Sequence, residues 1–293
     1  MTSSTVRRKK RKDEIRVKIE PLRNPADYKA CEDIQRETLL SQDIDIIPVS
    51  LLLTVNRIGG ILFGAYSSLG ELIGFIFSIP GILDGKLTQH SCILAVRAAY
   101  RNFDVGFKLK MAQRDEALKR KISRITCAFD PMQPAHAYFA LGKMGKWANV
   151  YENNFYGKTT NLMDRGLPTD RMFGVWELES SAVAKRVETG PPRRDFRKEL
   201  KHRRVINRLE ENVPGLLSSN SVRLDCEEES FIFEVPYNLQ EIKNRDLGVA
   251  IEWQEKMRQV FHHYFKKNYM AADFWVSEQD GNLRACYLLE KRK

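Results

Sequence analysis

The chain has 293 residues, 43% of them hydrophobic, and a formal net charge of +10. That apolar content is enough for a buried core in one large or two modest domains, and no run reaches the roughly 18 uncharged apolar residues of a membrane span. The amino terminus has no apolar signal segment, and Cys31, Cys92, Cys127, Cys226 and Cys286 lack C-x-x-C spacing. The expectation is therefore a cytoplasmic globular protein with reduced, mostly buried thiols, no metal and no membrane partner.

In chain order, Arg16–Leu22 alternates apolar and polar residues, which predicts a strand, and Asn24-Pro25 opens a helix through Leu40. A second helix follows Pro48 and ends near Gly59-Gly60. Gly60–Tyr66 and Glu71–Phe77, separated by Ser67-Ser68-Leu69-Gly70, read as a hairpin of buried strands. His90–Val96 is the next strand, Val105 to about Lys121 a helix, and Ile122–Phe129 a strand parallel to the previous one. The right-handed crossover between them places the helix amino terminus at the sheet's opening. Pro134 opens a helix to about Lys143, and strands follow near Asn149–Phe155 and Arg171–Leu178. Gly190-Pro191-Pro192 cannot lie inside a regular element. Beyond it come a charged helix, a strand at Phe231–Val235, an amphipathic helix around Leu247–Lys267 and a closing strand near Ala285–Leu289.

The positive charge is concentrated. Arg7–Glu14 holds six bases against two acids and Lys185–Arg208 ten against three, so these two blocks supply the whole excess. Solvated tail and linker charge, dispensable for the fold, is one reading of them; nucleic-acid contact is the other, without the aromatic interleaving of a single-strand groove.

The run Leu94–Lys110 is the most informative: an apolar strand, a short turn and a basic helix. The first N–H groups of a helix have no internal partner and the macrodipole favours negative charge, so such a unit holds an anion, a phosphate above all. Neither G-x-x-x-x-G-K-[ST] nor G-x-G-x-x-G is present. The run resembles the acyl-CoA loop [QR]-x-x-G-x-[GA] of the GNAT N-acetyltransferase superfamily, with Arg101 first and Gly106 last. Further segments support the resemblance: Asp27–Thr38, Pro48–Leu53, Thr126-Cys127-Ala128-Phe129-Asp130-Pro131, Asn153-Asn154-Phe155-Tyr156-Gly157 and Arg165-Gly166-Leu167-Pro168-Thr169-Asp170-Arg171. Together they are similar to one family of predicted acetyltransferases, from about Arg16 to Leu178.

The resemblance implies an α/β fold of the α+β type, a mixed, mostly antiparallel central sheet flanked by helices, with a small C-terminal α/β extension. The chain then divides into a basic disordered tail (1–14), a GNAT-like acyl-CoA-binding domain (15–180), a basic linker or helix (181–208) and an extension packing on the first domain (209–293). It implies an acyl-CoA-dependent N-acyltransferase, using acetyl-CoA, in which an amine acceptor attacks the thioester directly. Backbone groups of Leu94, Ala95 and Val96 would pair with the pantetheine arm. Arg101, Asn102, Phe103, Asp104, Val105, Gly106, Phe107 and Lys108 would wrap the pyrophosphate, with Lys108 and Lys110 adding charge.

His136 would donate one hydrogen bond to the cofactor, in a place where the family has Asn. His90 is the candidate general base, since an imidazole with a pKa near 6.5 suits that task. The tyrosine acid common in the superfamily is replaced by Leu141, leaving Tyr156 or Tyr138 to substitute. Asp170 and Arg171 would grip an acceptor or pin their loop. Asp104 stands where glycine is usual, as a helix cap or as a charge repelling phosphate. With Cys92 and Ala140 it leaves open a second reading, a non-catalytic acyl-CoA-binding or interaction module.

Overall fold

A computed structural model of the chain describes residues 16–22, 24–39, 42–162, 164, 166–213, 215–219, 221–279 and 282–292; the tail expected at 1–14 lies outside them. Strands β1 (Lys18–Pro21), β2 (Ile61–Tyr66), β3 (Leu72–Leu83) and β4 (Lys86–Val96) form an antiparallel meander. The hairpin β3–β4 runs well past the expected strand ends and closes at Asp84-Gly85, whose φ values of 50° and 74° suit a two-residue hairpin turn.

Helices α1 (Pro25–Leu39) and α2 (Val49–Arg57) cover one face of the meander, burying Tyr28, Cys31, Ile34, Leu52 and Val55 against Leu62, Phe75 and Phe77. Helix α3 (Val105–Lys119) covers the other through Val105 and Leu109 on Ala65, Ile73 and Ile76. Each fully buried Leu, Ile or Phe side chain contributes about 2 kcal/mol from apolar area alone, which fixes all three helices to the sheet.

Strand β5 (Arg124–Phe129) lies parallel to β4, followed in space by β7 (Arg171–Glu177) and β6 (Trp147–Glu152). Between β5 and β6, helix α4 (Pro134–Ala137) passes into a π turn over Tyr138–Lys143. This is the mixed, mostly antiparallel sheet that the resemblance implies.

The remaining elements are α5 (Ser181–Thr189), α6 (Phe196–Glu199), β8 (Arg204–Val205), β9 (Glu210–Val213), β10 (Leu216–Ser218), β11 (Ser230–Pro236), α7 (Leu239–Arg245), α8 (Leu247–Lys266), β12 (Tyr269–Gln279) and β13 (Asn282–Lys291). Only β9 and β10 stand apart; the others extend the sheet to eleven strands, in the order β1-β2-β3-β4-β5-β7-β6-β12-β13-β11-β8. β12 has no counterpart among the expected elements, because Ala271, Ala272 and Asp273 interrupt its apolar alternation at a bulge. It joins β6 at Ala271↔Ala148, so β12, β13, β11 and β8 prolong the sheet edge to edge. One apolar cluster runs through this joint, from Phe129 and Met172 to Trp253, Phe261, Tyr264 and Leu289.

Gly142 is required where the π turn meets β12, since a Cβ there would collide with the Phe274 carbonyl oxygen. The close approach brings the C-terminal half against α4. Among the described residues no single helix is long and apolar enough to cross a membrane.

Candidate functional site

The site begins where two strands part. β4 pairs with β5 only at Gln89↔Ile125 and His90↔Thr126, after which the ladder records no pairing between them. On its other side β4 carries a bulge at Cys92, between Ser91↔Ser78 and Ile93↔Phe77. A bulge shifts the side-chain alternation by one residue. Ser91 accordingly faces α3, where the Lys110 amine donates to its hydroxyl at 2.7 Å, and after the bulge it is Leu94 and Val96 that pack on the α3 side. Ala95 turns into the α1–α2 cluster. The result is a wedge open between β4 and β5, with His90 at its base on the face away from α3.

The turn after β4 supplies an anion seat on the α3 side. Asn102 and Asp104 both have positive φ, 68° and 59°, a conformation that Asn and Asp tolerate better than other non-glycine residues. Asp104 is therefore where a glycine would fit the backbone best. The first helical bond runs from Lys108 N–H to the Asp104 carbonyl, so Val105, Gly106 and Phe107 N–H have no partner within the helix.

Asp104 makes no capping hydrogen bond from its side chain. Its carboxylate instead accepts from Lys143 on the π turn at 2.6 Å, and that ammonium also lies 4.9 Å from the Phe107 ring centre. This pair corrects the first reading of Asp104, which sits at the cap position without capping, and sets a cation beside the charge of the second.

The loop opens on a cavity of about 580 Å³. Val96, Arg101, Asn102, Asp104, Val105, Gly106 and Phe107 line it, as expected of the cofactor residues, and Arg101 Nε also donates to the Val96 carbonyl at 3.2 Å. Phe103 instead packs beside Val105 and Leu109, Lys108 is exposed on α3, and Lys110 is buried against Ser91 and Gln113, which removes it from any phosphate. Burial and the nearby Lys146 cation push the Lys110 ammonium well below its ordinary pKa.

His136 is exposed next to the lining residues Pro134 and Ala135. Sequence reasoning missed Tyr100, Phe139 and Lys143, and also Tyr237, Val276 and Leu283 from the far half of the chain. Volume, basic side chains and free N–H groups fit a phosphorylated ligand.

On the opposite face, His90 Nδ1 and Thr126 Oγ1 share a 2.9 Å hydrogen bond, and among the described residues no side chain bonds Nε2. Burial, aided by Lys146 and Lys110, lowers the His90 pKa from its usual 6.5, so the imidazole is neutral at pH 7. His90 stands 6.3 Å from the Phe173 ring, Phe173 5.0 Å from Phe155, and Phe155 4.7 Å from Tyr156, so two phenylalanine rings separate the two expected catalytic side chains. Burial raises the Tyr156 pKa, keeping its phenol protonated. Cys92 is exposed, unlike the other four cysteines. Leu141 is fully buried in the core.

Asp170 and Arg171, read as gripping an acceptor or pinning their loop, are engaged internally. Asp170 is 1% exposed and accepts from Arg258 Nε (2.7 Å) and Nη2 (2.9 Å), from Tyr151 OH and from Asn154 N–H. Arg171 donates to both Asp164 oxygens at 2.9 Å and stands 5.1 Å from the Tyr156 ring centre. They fix the β6–β7 loop. The same loop reaches the α1–α2 connection, where Asp45 accepts from Thr160 N–H at 2.6 Å and from Thr159 OH at 3.1 Å.

No family profile matches the sequence, and no curated protein does. Solved structures are similar to it in fold. They include the ribosomal-protein-S18-alanine N-acetyltransferase from Escherichia coli, 16% identical over 57% of this chain and 96% of that one, TM-score 0.44. The NatC complex bound to Gag peptide and CoA is 15% identical over 55% and 98%, TM-score 0.45. Aminoglycoside 6'-acetyltransferase type Ii is 19% identical over 55% and 97%, TM-score 0.45.

Proposed function

We propose that the protein transfers an acyl group from acyl-CoA, acetyl-CoA in the first instance, to an amine. One juxtaposition carries this reading: Val96 at the end of β4 lines the cavity that holds the anion seat, and a neutral histidine stands on the same strand where it parts from β5. The N–H groups of Val105, Gly106 and Phe107, with Arg101, hold the pyrophosphate, and the unpaired edge of β4 at Leu94, Ala95 and Val96 orients the arm that leads into the wedge. His90, oriented by its bond to Thr126, takes a proton from the attacking amine. The amine nitrogen bonds to the thioester carbon and the carbon–sulfur bond breaks. Backbone N–H groups at the wedge offset the charge that develops on the carbonyl oxygen. Tyr156, a protonated phenol, supplies a proton to the departing thiolate, so the products are an amide and CoA thiol.

A calorimetric titration with CoA and acetyl-CoA, followed by release of CoA thiol across a panel of amines, tests the reading. Binding with amine-dependent thiol release supports it; absence of any binding overturns it. The burial of Leu141 and the Asp104–Lys143 pair favour the second reading, an acyl-CoA-binding module. Binding without thiol release in the presence of any amine supports that one. Nucleic-acid contact through the second basic block is disfavoured, because Arg186, Arg194 and Arg203 make ion pairs with Asp273 and Glu199 inside the protein.

A further inference from the structure

Three side chains lining the 580 Å³ cavity come from the far half of the chain, well removed in sequence from the strand-loop-helix unit that forms the anion seat. Val276 lies on β12, Leu283 on β13, and Tyr237 between β11 and α7. Their presence follows from the contact of β12 with the π turn at Gly142, which carries Tyr138 into the same cavity. Tyr138 is 36% exposed and Tyr237 46% exposed, and among the described residues neither ring packs against another aromatic ring. Two large apolar ring faces are thus left to water inside a concave site, where a flat aromatic ligand would cover them.

We propose that Tyr237, together with Tyr138, seats the purine ring of the acyl donor, so that the C-terminal half forms part of the cofactor site. The inference rests on the acyl-transfer reading. In that reading the acyl end leaves the cavity through the wedge toward His90, and the phosphates lie at Val105, Gly106 and Phe107. The part of the ligand remaining on the α3 side is the adenosine. Its base has two π faces that stack on tyrosine without sequence-type hydrogen bonding, and Val276 and Leu283 add apolar contact at its edge. Tyr237 is held at a strand–helix junction between Pro236 and α7, which limits the ordering needed on binding.

The test compares CoA with 4'-phosphopantetheine, which has the same arm and one phosphate but no adenosine, by calorimetric titration of the full chain. Tyr237→Ala is expected to raise the Kd for CoA about tenfold, some ~1.4 kcal/mol, while leaving that for phosphopantetheine unchanged. Tyr237→Phe retains CoA affinity, since the ring carries the contact. The melting temperature of ligand-free Tyr237→Ala stays at the wild-type value because the side chain is exposed. If Tyr237→Ala binds CoA as tightly as the wild type, or loses both ligands by the same factor, the purine seat is overturned while acyl-CoA binding stands. If the wild type binds neither ligand, both readings fall.

Discussion

Lys143 Nζ lies 2.6 Å from Asp104 Oδ1 at the mouth of the cavity, so a cation positioned to meet phosphate is engaged by a carboxylate of the anion loop itself. Asp104 also adopts a left-handed conformation that glycine adopts without steric cost. Asp104→Gly therefore removes a negative charge, relieves the backbone and returns Lys143 to the ligand. The expected result is a fall in the Kd for CoA of about fivefold, the ~1 kcal/mol of a charge pair in a solvated site. Lys143→Ala should act in the opposite direction, and the double variant should bind more tightly than Lys143→Ala alone. Calorimetric titration of the three variants checks the sign of each change.

Gly106 is governed by the ligand rather than by the fold. A Cβ at this position would meet only Leu94 Cδ2, at 3.6 Å, and the residue does not have positive φ. Gly106→Ala should fold normally, gaining the ~1 kcal/mol by which alanine exceeds glycine within a helix. Gly106→Leu should keep its melting temperature within a few degrees and lose CoA binding, because the longer side chain projects into the cavity beside the free N–H groups. CoA affinity equal to wild type in Gly106→Leu would displace the pyrophosphate from this loop.

His90 sets the pH dependence. Burial lowers its pKa below 6.5 in the folded protein, whereas the unfolded chain titrates near 6.5. Below pH 6.5 the unfolded state thus binds the proton more readily, so the stability this histidine contributes is present above pH 6.5 and lost as pH falls through the folded value. With His90 as the base of the proposed transfer, the imidazole is already neutral at pH 7. The acidic limb of kcat/KM should have an apparent pKa below 6.5 and the rate should be flat near neutrality. His90→Gln should lower kcat by about 10²- to 10⁴-fold with little change in the KM for acetyl-CoA. A pH–rate profile unchanged in His90→Gln would assign the base elsewhere.

The anion loop was legible in the sequence because everything it needs is local: an apolar strand, two residues suited to left-handed backbone and a helix start within Leu94–Lys110. His90 could be placed by its strand alone, though not its bond to Thr126, which depends on parallel pairing between distant segments. Tyr237, Val276 and Leu283 gave no signal, since their approach depends on a glycine contact between Gly142 and β12 that no periodicity encodes. Asp170 and Arg171 carried the right chemistry for acceptor binding. The Asp170 partner Arg258 lies 88 residues along the chain and the Arg171 partner Asp164 lies in the same loop, and only the fold shows those charges satisfied.

The second basic block shows the same limit of composition and yields the sharpest test of the fold. Its charge reads as solvated and dispensable, yet Arg194 Nε donates to Asp273 Oδ2 at 2.9 Å, its guanidinium lies 5.3 Å from the Trp275 ring centre, and Asp273 is only 3% exposed. Arg186 reaches the same carboxylate at 3.4 Å and also donates to the Gly142 carbonyl. Asp273 therefore ties α5 and the segment before α6 to the bulge of β12, close to where the π turn meets that strand. Removing one partner of a buried pair leaves a poorly compensated charge and costs about 3 kcal/mol. Arg194→Ala should lower the melting temperature by roughly 6 °C or more, whereas Arg193→Ala, at an exposed position, should change stability by less than about 0.5 kcal/mol. Thermal unfolding of the two variants side by side checks the contrast. Equal melting temperatures would return the whole block to the role of solvated charge.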